Sequence, residues 1–334
     1  MKIATPTARA RAGISTRARS IPGLLVSCTV IYSLITGCPP AASATPPPLP
    51  SVVVTAPRPP TAAQLTGESV PNFILHHATP PAALGQLTRW REGICPMTQG
   101  LSPAFDAFIT ARIRAVALSV GAPVQSQAKC RVNVEILFTT EPQAAIDDIA
   151  NASPMLLGNH YKSQLKTLEA VNHPIQGWYV TATRGAYGAR LRDDDTRINV
   201  MWGNDIGNVV GTVPACLPGS RLETECKSEI INVILIADTR KVAGYTVGSI
   251  SDYLAVLTLT MVQSPDGCDP LPSILDLMSP SCRHHPDESG NITAGDLAFL
   301  KALYRADLKV SPELERGNIL AQMMSQFGSR ESAK

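Results

Sequence analysis

The sequence has few aromatic residues, 5% of 334, and few charged ones, 17%, and it lacks the short motifs of the common catalytic sites. There is no G-x-S-x-G elbow, no G-x-x-x-x-G-K-[ST] loop, no G-x-G-x-x-G turn and no H-E-x-x-H helix. These motifs position a nucleophile, a phosphate, a dinucleotide and a zinc ion, respectively. Their absence excludes the best-recognised hydrolase, nucleotide-binding and zinc-peptidase sites, and no cofactor is predicted.

Acidic residues are missing from the start of the chain, where none precedes Glu68. The first 20 residues nevertheless hold five basic ones: Lys2, Arg9, Arg11, Arg17 and Arg19. Removing residues 1–37 takes away five of the 29 basic residues and none of the 27 acidic ones, so the remainder has 24 against 27, a net charge of −3. A net-acidic chain argues against nucleic-acid binding, which needs a basic surface to displace counterions from phosphates.

Long apolar runs are also missing after residue 37. Residues 21–37 (IPGLLVSCTVIYSLITG) are apolar, follow the basic segment and are interrupted by small residues and proline. This layout predicts a signal peptide over residues 1–37 and hence an exported protein. The alternative is a permanent transmembrane helix, for which about 17 residues is at the short limit.

Two processing sites compete after the apolar run. Ile35-Thr36-Gly37-Cys38 resembles the lipobox of bacterial lipoproteins, and by that resemblance Cys38 is lipidated and anchors the protein to a membrane. Ala42-Ser43-Ala44 fits ordinary signal-peptidase cleavage, which would release a free periplasmic protein. Both alternatives stay open.

The remaining chain divides by composition. Residues 38–70 are predicted to be a Pro-rich tether, because nine of the 23 residues from 38 to 60 are proline and such a segment cannot bury a core. Residues 71–328 have the composition of a single globular domain, and residues 329–334 are predicted to be a disordered tail.

Hydrophobic periodicity predicts an α+β domain. Helices are expected at residues 103–120, 143–150, 251–262, 293–304 and 312–327. Strands are expected at residues 132–138, 178–182, 197–202 and 230–237. The last of these (IINVILIA) is apolar on both faces, which is typical of a central strand. We therefore expect one mixed β-sheet packed with helices, followed by a helical C-terminal part.

Six cysteines lie outside the signal segment and Cys38: Cys95, Cys130, Cys216, Cys226, Cys268 and Cys282. An even number in an exported chain predicts disulfides, and no C-x-x-C or zinc-finger spacing occurs. Six cysteines allow 15 connectivities. Chain order favours neighbouring pairs, namely Cys95–Cys130, Cys216–Cys226 and Cys268–Cys282.

Histidines and acidic clusters are the candidate metal ligands. The six histidines (His76, His77, His160, His173, His284 and His285) are isolated or in adjacent pairs and are expected to be solvated; His160 and His173 would be the first ligands if zinc bound. Asp193-Asp194-Asp195 is expected to be a solvated hairpin tip rather than a cation site. Residues 285–296 partly match a calcium loop at Asp287, Ser289, Gly290, Ile292 and Asp296. His285 replaces the first acid and Asp296 the final Glu, so we expect a polar loop ending in a helix cap, and a calcium-stabilised module remains a third reading.

Three further positions are candidates for binding or catalysis. Trp178-Tyr179 and Trp202 could form ligand platforms, although aromatic residues on strands usually belong to the core. Asp252 is the acid of greatest interest, because it is predicted near the start of a buried helix. It could act in a hydrolase of unrecognised type, but a first-turn acid that complements the helix dipole is the preferred interpretation.

Five passages resemble exported proteins of Gram-negative bacteria that carry no assigned activity: Ile94-Cys95-Pro96, residues 103–108 (PAFDAF), 250–255 (ISDYLA), 271–275 (LPSIL) and 300–304 (LKALY). That resemblance implies an envelope protein and transfers no reaction. The predicted sheet, buried helix and helical C-terminal part also resemble zincin metalloproteases distantly, but Ser251-Asp252-Tyr253-Leu254-Ala255 stands where H-E-x-x-H would be. We therefore expect a non-enzymatic binding or scaffolding protein with an unknown protein partner, and a degenerate zincin-like hydrolase is the alternative.

Overall fold

The structure is a computed structural model, and it describes residues 60, 65, 68–80, 85–158, 164–185, 188–193, 226–262, 268–279, 282, 291–307 and 309–331. The described residues belong to one folded unit, 48–334. The signal segment 1–37, Cys38 and most of the tether 38–70 lie outside the described residues. So do Cys216 and the predicted strand at residues 197–202 with its Trp202.

A mixed six-stranded sheet lies at the centre of the described fold. Its strands are β1 (Arg89–Trp90), β2 (Pro96–Gln99), β3 (Val134–Thr139), β4 (Ile175–Arg184), β5 (Arg190–Arg192) and β6 (Lys227–Asp238). The order is β2-β3-β6-β4-β5, and β1 also pairs with β6. Strands β1, β2, β3 and β6 pair in parallel, whereas β4 is antiparallel to both β6 and β5.

The central place predicted for residues 230–237 is confirmed, because β6 is bordered by β3 on one side and by β4 on the other. Its side chains alternate between two hydrophobic clusters. Val233, Leu235 and Ala237 belong to the larger cluster, and Ile234 and Ile236 to the smaller one. A strand with apolar residues on both faces is what this double burial requires.

Helices cover both faces of the sheet. The described residues contain α1 (Ser69–His77), α2 (Pro103–Val120), α3 (Pro142–Ala152), α4 (Leu165–Leu168), α5 (Val247–Leu259), α6 (Ala294–Arg305) and α7 (Pro312–Glu331). The larger cluster joins the sheet to α1, α2, α5, α6 and α7, and the smaller cluster joins the other face to α3, α4 and a 3-10 turn (Pro154–Leu157). This is the predicted α+β class with a helical C-terminal part.

The ends of α2 follow the predicted signals. Pro103 is the first helical residue and Gly121 ends the helix at φ 83°, where its N–H donates to the carbonyls of Ala117 and Leu118. Ser102 precedes the helix in an extended conformation, but its side chain makes no capping hydrogen bond. At the other end of the chain, α7 continues to Glu331, into the segment predicted as a disordered tail, because arginine and glutamate both favour helix.

The predicted start of α5 at Ser251 is wrong. The helix begins at Val247, after Thr246, whose side-chain oxygen accepts from the N–H of Ser249 at 3.1 Å. Ser251 and Asp252 therefore lie inside the helix and both are fully buried. The capping residue Thr246 therefore sets the start of α5, and Ser251-Asp252 resembles a helix cap only in sequence.

Two of the predicted disulfides lie within the described residues. Cys95–Cys130 and Cys268–Cys282 have Cα–Cα distances of 5.6 Å and 5.3 Å. Cys226 is also disulfide-bonded, and its predicted partner Cys216 lies outside the described residues. Disulfides persist in oxidising compartments, so these bonds fit an exported protein. Among the described residues we find no helix that combines the length and the apolar composition needed to cross a bilayer.

Candidate functional site

The best-defined cavity in the described structure is a cleft of about 280 Å³ at the outer edge of β4, the edge that faces away from β6. Consecutive β4 residues, 175–179, line it together with Leu157 and Gly158 on one side and with Tyr253 and Leu257 of α5 on the other. A run of consecutive strand residues contains both faces of the sheet. The cleft therefore opens onto the strand edge itself rather than onto one face.

The direction of the β4 backbone follows from two hydrogen bonds. The carbonyl of Pro174 accepts from the N–H of Asp238, at the end of β6, and the carbonyl of Thr181 accepts from the N–H of Asp193, beside β5. Backbone groups of successive residues in an antiparallel strand point alternately to the two sides. The N–H and C=O groups of Ile175 and Gly177 therefore point away from β6 and towards the cleft.

Trp178 and Tyr179, predicted as ligand platforms or core, form the walls of this cleft. Trp178 is 2% exposed, and its indole N–H donates to the carbonyl of Leu168 at 2.6 Å. The hydroxyl of Tyr179 donates to the carbonyl of Leu257 at 2.9 Å, and burial, with Tyr253 nearby, raises the pKa of Tyr179 well above its usual value. Both polar tips are engaged, so the two rings fix α4 and α5 against β4.

Gly158 brings the chain close to the same edge. It has φ +69°, and a Cβ at this position would lie 1.8 Å from the carbonyl oxygen of Tyr179. Only glycine allows this approach. The outer edge of β4 is therefore covered at Tyr179, whereas β5 pairs only with residues 182–184. Gly177, which is half-buried, is then the part of this edge that the cleft exposes, whereas Ile175 is 1% exposed.

Asp252 lies away from this cleft. Its two oxygens accept from the guanidinium of Arg112 at 2.6 and 2.9 Å, and Oδ2 also accepts from the N–H of Ile292 at 2.9 Å. Asp252 is 0% exposed and Arg112 is 6% exposed. The preferred interpretation of Asp252 as a first-turn acid is wrong, because the ion pair and the earlier helix start place it inside α5, where it joins α2 to α5.

A signal for this ion pair was present in the sequence. Arg112 lies on the stripe of α2 that also carries Ile109, Ile113 and Val116, and all four side chains are buried. A single arginine on an apolar helix stripe needs a carboxylate partner inside the protein. The sequence shows the need for an acid but not its position, which is 140 residues away.

A second buried ion pair joins β1 to α7. The guanidinium of Arg89 donates to Glu315 at 2.6 Å and to the carbonyl of Leu303, and Glu315 also accepts from the N–H of Leu87 at 2.8 Å. Burial raises the pKa of Glu315 even though the Arg89 charge opposes that shift. Sequence analysis did not single out either residue.

His77, expected to be solvated, is instead buried at the centre of a polar cluster. Its Nε2 lies 2.9 Å from Asp296 Oδ1 and 3.1 Å from Ser273 Oγ, while Nδ1 lies 3.2 Å from the carbonyl of Phe73. Asp269 is 3.5 Å from Nδ1. Burial alone would lower the pKa of His77, but the Asp269 and Asp296 carboxylates outweigh it and raise that pKa to about 10. His77 is therefore a buried cation at neutral pH.

Asp296 has two structural tasks in this cluster. Its Oδ2 accepts from the N–H of Thr293 at 2.9 Å while Thr293 Oγ1 accepts from the N–H of Asp296 at 3.1 Å, which is the capping box of α6 that the sequence predicts. The hydrogen bond from His77 and the imidazolium charge hold the pKa of Asp296 below its usual value against the effect of burial.

Ser273, His77 and Asp296 are the residue types of a catalytic triad, but their arrangement is not that of a triad. In a triad the acid binds Nδ1 of histidine and the serine binds Nε2, whereas here Asp296 and Ser273 both lie at Nε2. Ser273 is 0% exposed, and its hydroxyl donates to Asp296 at 2.8 Å. The cluster thus joins α1 to α6 and to the turn at Ser273.

The candidate cation sites of the sequence lie largely outside the described residues. Asp193 accepts from the hydroxyls of Thr181 and Thr183 at 2.6 and 2.8 Å and is buried, which differs from the expected solvated tip. Its neighbours Asp194 and Asp195 lie outside the described residues, as do residues 285–290 of the calcium-like loop and His160, His284 and His285. The described residues contain no group of three or more His, Cys, Asp or Glu suited to a metal ion.

Comparison of the chain with protein-family models, with curated proteins and with solved structures gives no match. The resemblance to exported proteins of Gram-negative bacteria and the zincin analogy therefore stay predictions. Function has to be inferred from the geometry of this chain.

Proposed function

We propose that the protein is an exported component of the cell envelope that binds a partner in the β4 cleft without catalysis. The observation that carries this proposal is the lining of the cleft, which contains no carboxylate, cysteine, lysine or arginine among the described residues. General acid–base and nucleophilic catalysis commonly use such groups. The titratable side chains in the described part of the lining are His173, Tyr179 and Tyr253.

Export is supported by the basic and apolar amino-terminal pattern and by the disulfides. In this proposal the protein is either anchored to a membrane through lipidated Cys38 or free in the periplasm after cleavage behind Ala44. The segment between Cys38 and α1 then serves as a spacer. Its predicted end at residue 70 is wrong, because Ser69 and Val70 are buried in the first turn of α1.

The alternative function, a hydrolase that uses Asp252, gains no support from the geometry. Asp252 does not line the cleft, and its two oxygens accept hydrogen bonds from Arg112 and from the N–H of Ile292. Asp252 is also 0% exposed, so its carboxylate is not in contact with solvent.

Site-specific photo-crosslinking in living cells tests the binding proposal. A photoreactive p-benzoylphenylalanine at Met261, which lines the cleft, is expected to give light-dependent adducts in the envelope fraction. The matched control places the same residue at Met324 of α7, which is 44% exposed and does not line the cleft. Equal labelling at both positions, or none at Met261, contradicts the proposal.

Processing is tested separately with Cys38→Ser. If Cys38 carries the anchor, this variant leaves the membrane fraction, and the intact mass of the wild type shows a lipid on residue 38. If cleavage follows Ala44, the variant and the wild type fractionate alike. Retention of Met1 in the mature protein contradicts export.

A further inference from the structure

We propose that a row of basic side chains across one end of the sheet binds a phosphate monoester group. Three of its members are register partners on neighbouring strands: Arg190 of β5, Arg184 of β4 and Lys227 of β6. Arg91, which directly follows β1, and Lys309, which precedes α7, lie close enough for their charges to act on Lys227. These five residues are called the basic row. The row begins at the last residue of β4, beyond the cleft, so this inference does not depend on the proposed binding function.

The register of the sheet brings like charges together in this row. Register partners of antiparallel strands have their side chains on the same face, with Cβ atoms about 5 Å apart, and like charges in such pairs destabilise a sheet. Arg184 is the partner of Arg190 on one side and of Lys227 on the other. Such an arrangement is favourable only where negative charge lies between the side chains.

Carboxylates of the chain supply part of that negative charge. Glu229, which is 1% exposed, accepts from Nε of Arg184 at 3.0 Å. Glu92 accepts from Arg184 and Arg190 at 3.1 and 2.9 Å. Asp307 also acts on the row through its charge. Five basic residues thus face three acidic ones, and two positive charges are left in excess.

The excess charge lies at Lys227 and Arg91. Within the described residues no ion pair or hydrogen bond engages the Lys227 ammonium, and burial, together with the charges of Arg91 and Lys309, lowers the pKa of Lys227. Nε of Arg91 lies 3.9 Å from Glu229, and its Nη1 makes no hydrogen bond in the described structure. The chain itself therefore leaves both cations incompletely paired.

The basic row is open to solvent. The side chains of Arg91 and Arg184 are each 25% exposed, and that of Arg190 is 40% exposed. Lys227 is half-buried and Lys309 is exposed. An ion can thus reach these side chains without any change in the sheet.

The excess charge and the types of donor define the ligand. A phosphate monoester carries about −1.5 to −2 at pH 7 and has three acceptor oxygens, which matches an excess of two positive charges. The guanidinium fork of Arg91 suits phosphate oxygens, and a lysine such as Lys227 binds phosphate as a point charge. A carboxylate carries a single charge and would leave the row with a positive excess.

Isothermal titration of inorganic phosphate into the folded, full-length chain, with its disulfides intact, tests the site. The ionic strength is held constant with sodium chloride, because salt screens exposed charges. We expect phosphate to bind saturably, and acetate, with its single charge, to bind at least fivefold more weakly. No measurable binding of phosphate, or equal affinities for phosphate and acetate, overturns the inference.

Lys227→Gln is the decisive variant, because it removes a positive charge without breaking an ion pair of the described structure. It is expected to weaken phosphate binding at least fivefold. The matched control is Lys241→Gln, which changes a lysine beyond the opposite end of β6. At about 3.3 Å per residue the two ends of this strand are roughly 35 Å apart, so the control should bind like the wild type. Equal affinities of Lys227→Gln and the wild type contradict the site.

A stability measurement separates the binding role of Lys227 from a structural one. Without phosphate, Lys227→Gln should unfold at the same urea concentration as the wild type or at a higher one, since it relieves the like-charge contact with Arg184. A clearly lower midpoint would show that the chain itself holds the ammonium, and this result also overturns the inference.

Vesicles distinguish a lipid head group from a soluble phosphate compound as the source of the phosphate. Cosedimentation is measured with phosphatidylcholine vesicles that contain phosphatidic acid, which is a lipid phosphate monoester. The readout is the difference between the wild type and Lys227→Gln, because the basic residues of the first 20 and a lipid on Cys38 would hold both proteins on vesicles equally.

An at least fivefold loss of cosedimentation in Lys227→Gln supports the inference with a lipid head group as ligand. Equal cosedimentation, together with Lys227-dependent binding of inorganic phosphate, supports it with a soluble phosphate compound. The absence of both effects refutes the site, and it leaves the proposed binding in the β4 cleft to be decided by the crosslinks at Met261.

Discussion

Replacing Asp252 with asparagine is expected to lower the free energy of unfolding by about 3–5 kcal/mol, the usual cost of leaving one charge of a buried ion pair without its partner. The pair consists of two short hydrogen bonds, 2.6 and 2.9 Å, from the Arg112 guanidinium. Asparagine keeps the volume and can still accept from the N–H of Ile292. The loss therefore reports the uncompensated guanidinium rather than a cavity.

A double variant separates the ion pair from its surroundings. Arg112→Met combined with Asp252→Leu removes both charges at similar volume. The remaining loss should be about 1–3 kcal/mol, because the N–H of Ile292 loses its acceptor. We expect this double variant to be more stable than either single variant. Asp148→Asn, an exposed acid on α3, should change stability by less than about 0.5 kcal/mol.

Urea unfolding at pH 7, followed by far-UV circular dichroism with the disulfides intact, measures the wild type, Asp252→Asn, Asp148→Asn, the double variant and its two single variants, Arg112→Met and Asp252→Leu. A loss below about 1 kcal/mol for Asp252→Asn would refute a structural role, since residues kept for catalysis commonly cost little stability when removed. Losses that simply add in the double variant would show that Arg112 and Asp252 do not interact.

Three further changes test other parts of the structure. Burial next to Asp269 and Asp296 raises the pKa of Asp276 from 3.8 to about 7. The folded chain therefore binds this proton more tightly than the unfolded chain does, and Asp276 lowers the free energy of unfolding as pH rises between these two values. After allowance for solvent, Asp276→Asn should stabilise the protein by roughly 2 kcal/mol at pH 8 and by almost nothing at pH 4, as measured by urea titration. A stabilisation that is larger at pH 4 would contradict this sign. Gly158→Ala should lower the free energy of unfolding by at least about 2 kcal/mol in thermal or urea unfolding. Gly188→Ala should cost about 1 kcal/mol, because Gly188 also has a positive φ but no atom lies within 4 Å of an added Cβ. Equal losses would show that Gly158 does not closely approach the β4 edge. Replacing both cysteines of Cys268–Cys282 by serine should remove about 3 kcal/mol, and unchanged unfolding of the oxidised and substituted proteins would argue against that bond.

Much of the architecture was predictable because it depends on local pattern. The run at residues 230–237 is apolar at every position except Asn232 and rich in β-branched residues, which is typical of a strand buried on both faces. Likewise, Thr293 and Asp296 are three residues apart, which suffices for the capping box of α6. The residues that act in these features are neighbours in the sequence.

The polar interior was not predictable in the same way. His77 meets Ser273 and Asp296 across 196 and 219 residues, and nothing near His77 in the sequence distinguishes it from the exposed His76. The prediction that Asp252 lies in the first turn of its helix was wrong for a related reason. The position of Asp252 within α5 depends on the cap at Thr246, which was not predicted. The cleft depends on where β5 ends beside β4, and strand pairing of this kind is fixed by the register rather than by composition.

The strand order also constrains how the chain can fold. Strands β1, β3 and β4 all pair with β6, which ends at Asp238, so none of them has its central neighbour until more than two thirds of the chain is available. The ion pair of Arg89 in β1 needs still more of the chain, because its partner Glu315 lies 226 residues further along. Such distant pairings make folding slow and leave strand edges exposed in the meantime. When the chain is synthesised from its N-terminus, the sheet is therefore completed late. The Cys95–Cys130 disulfide is a long-range bond that can form before β6 is synthesised.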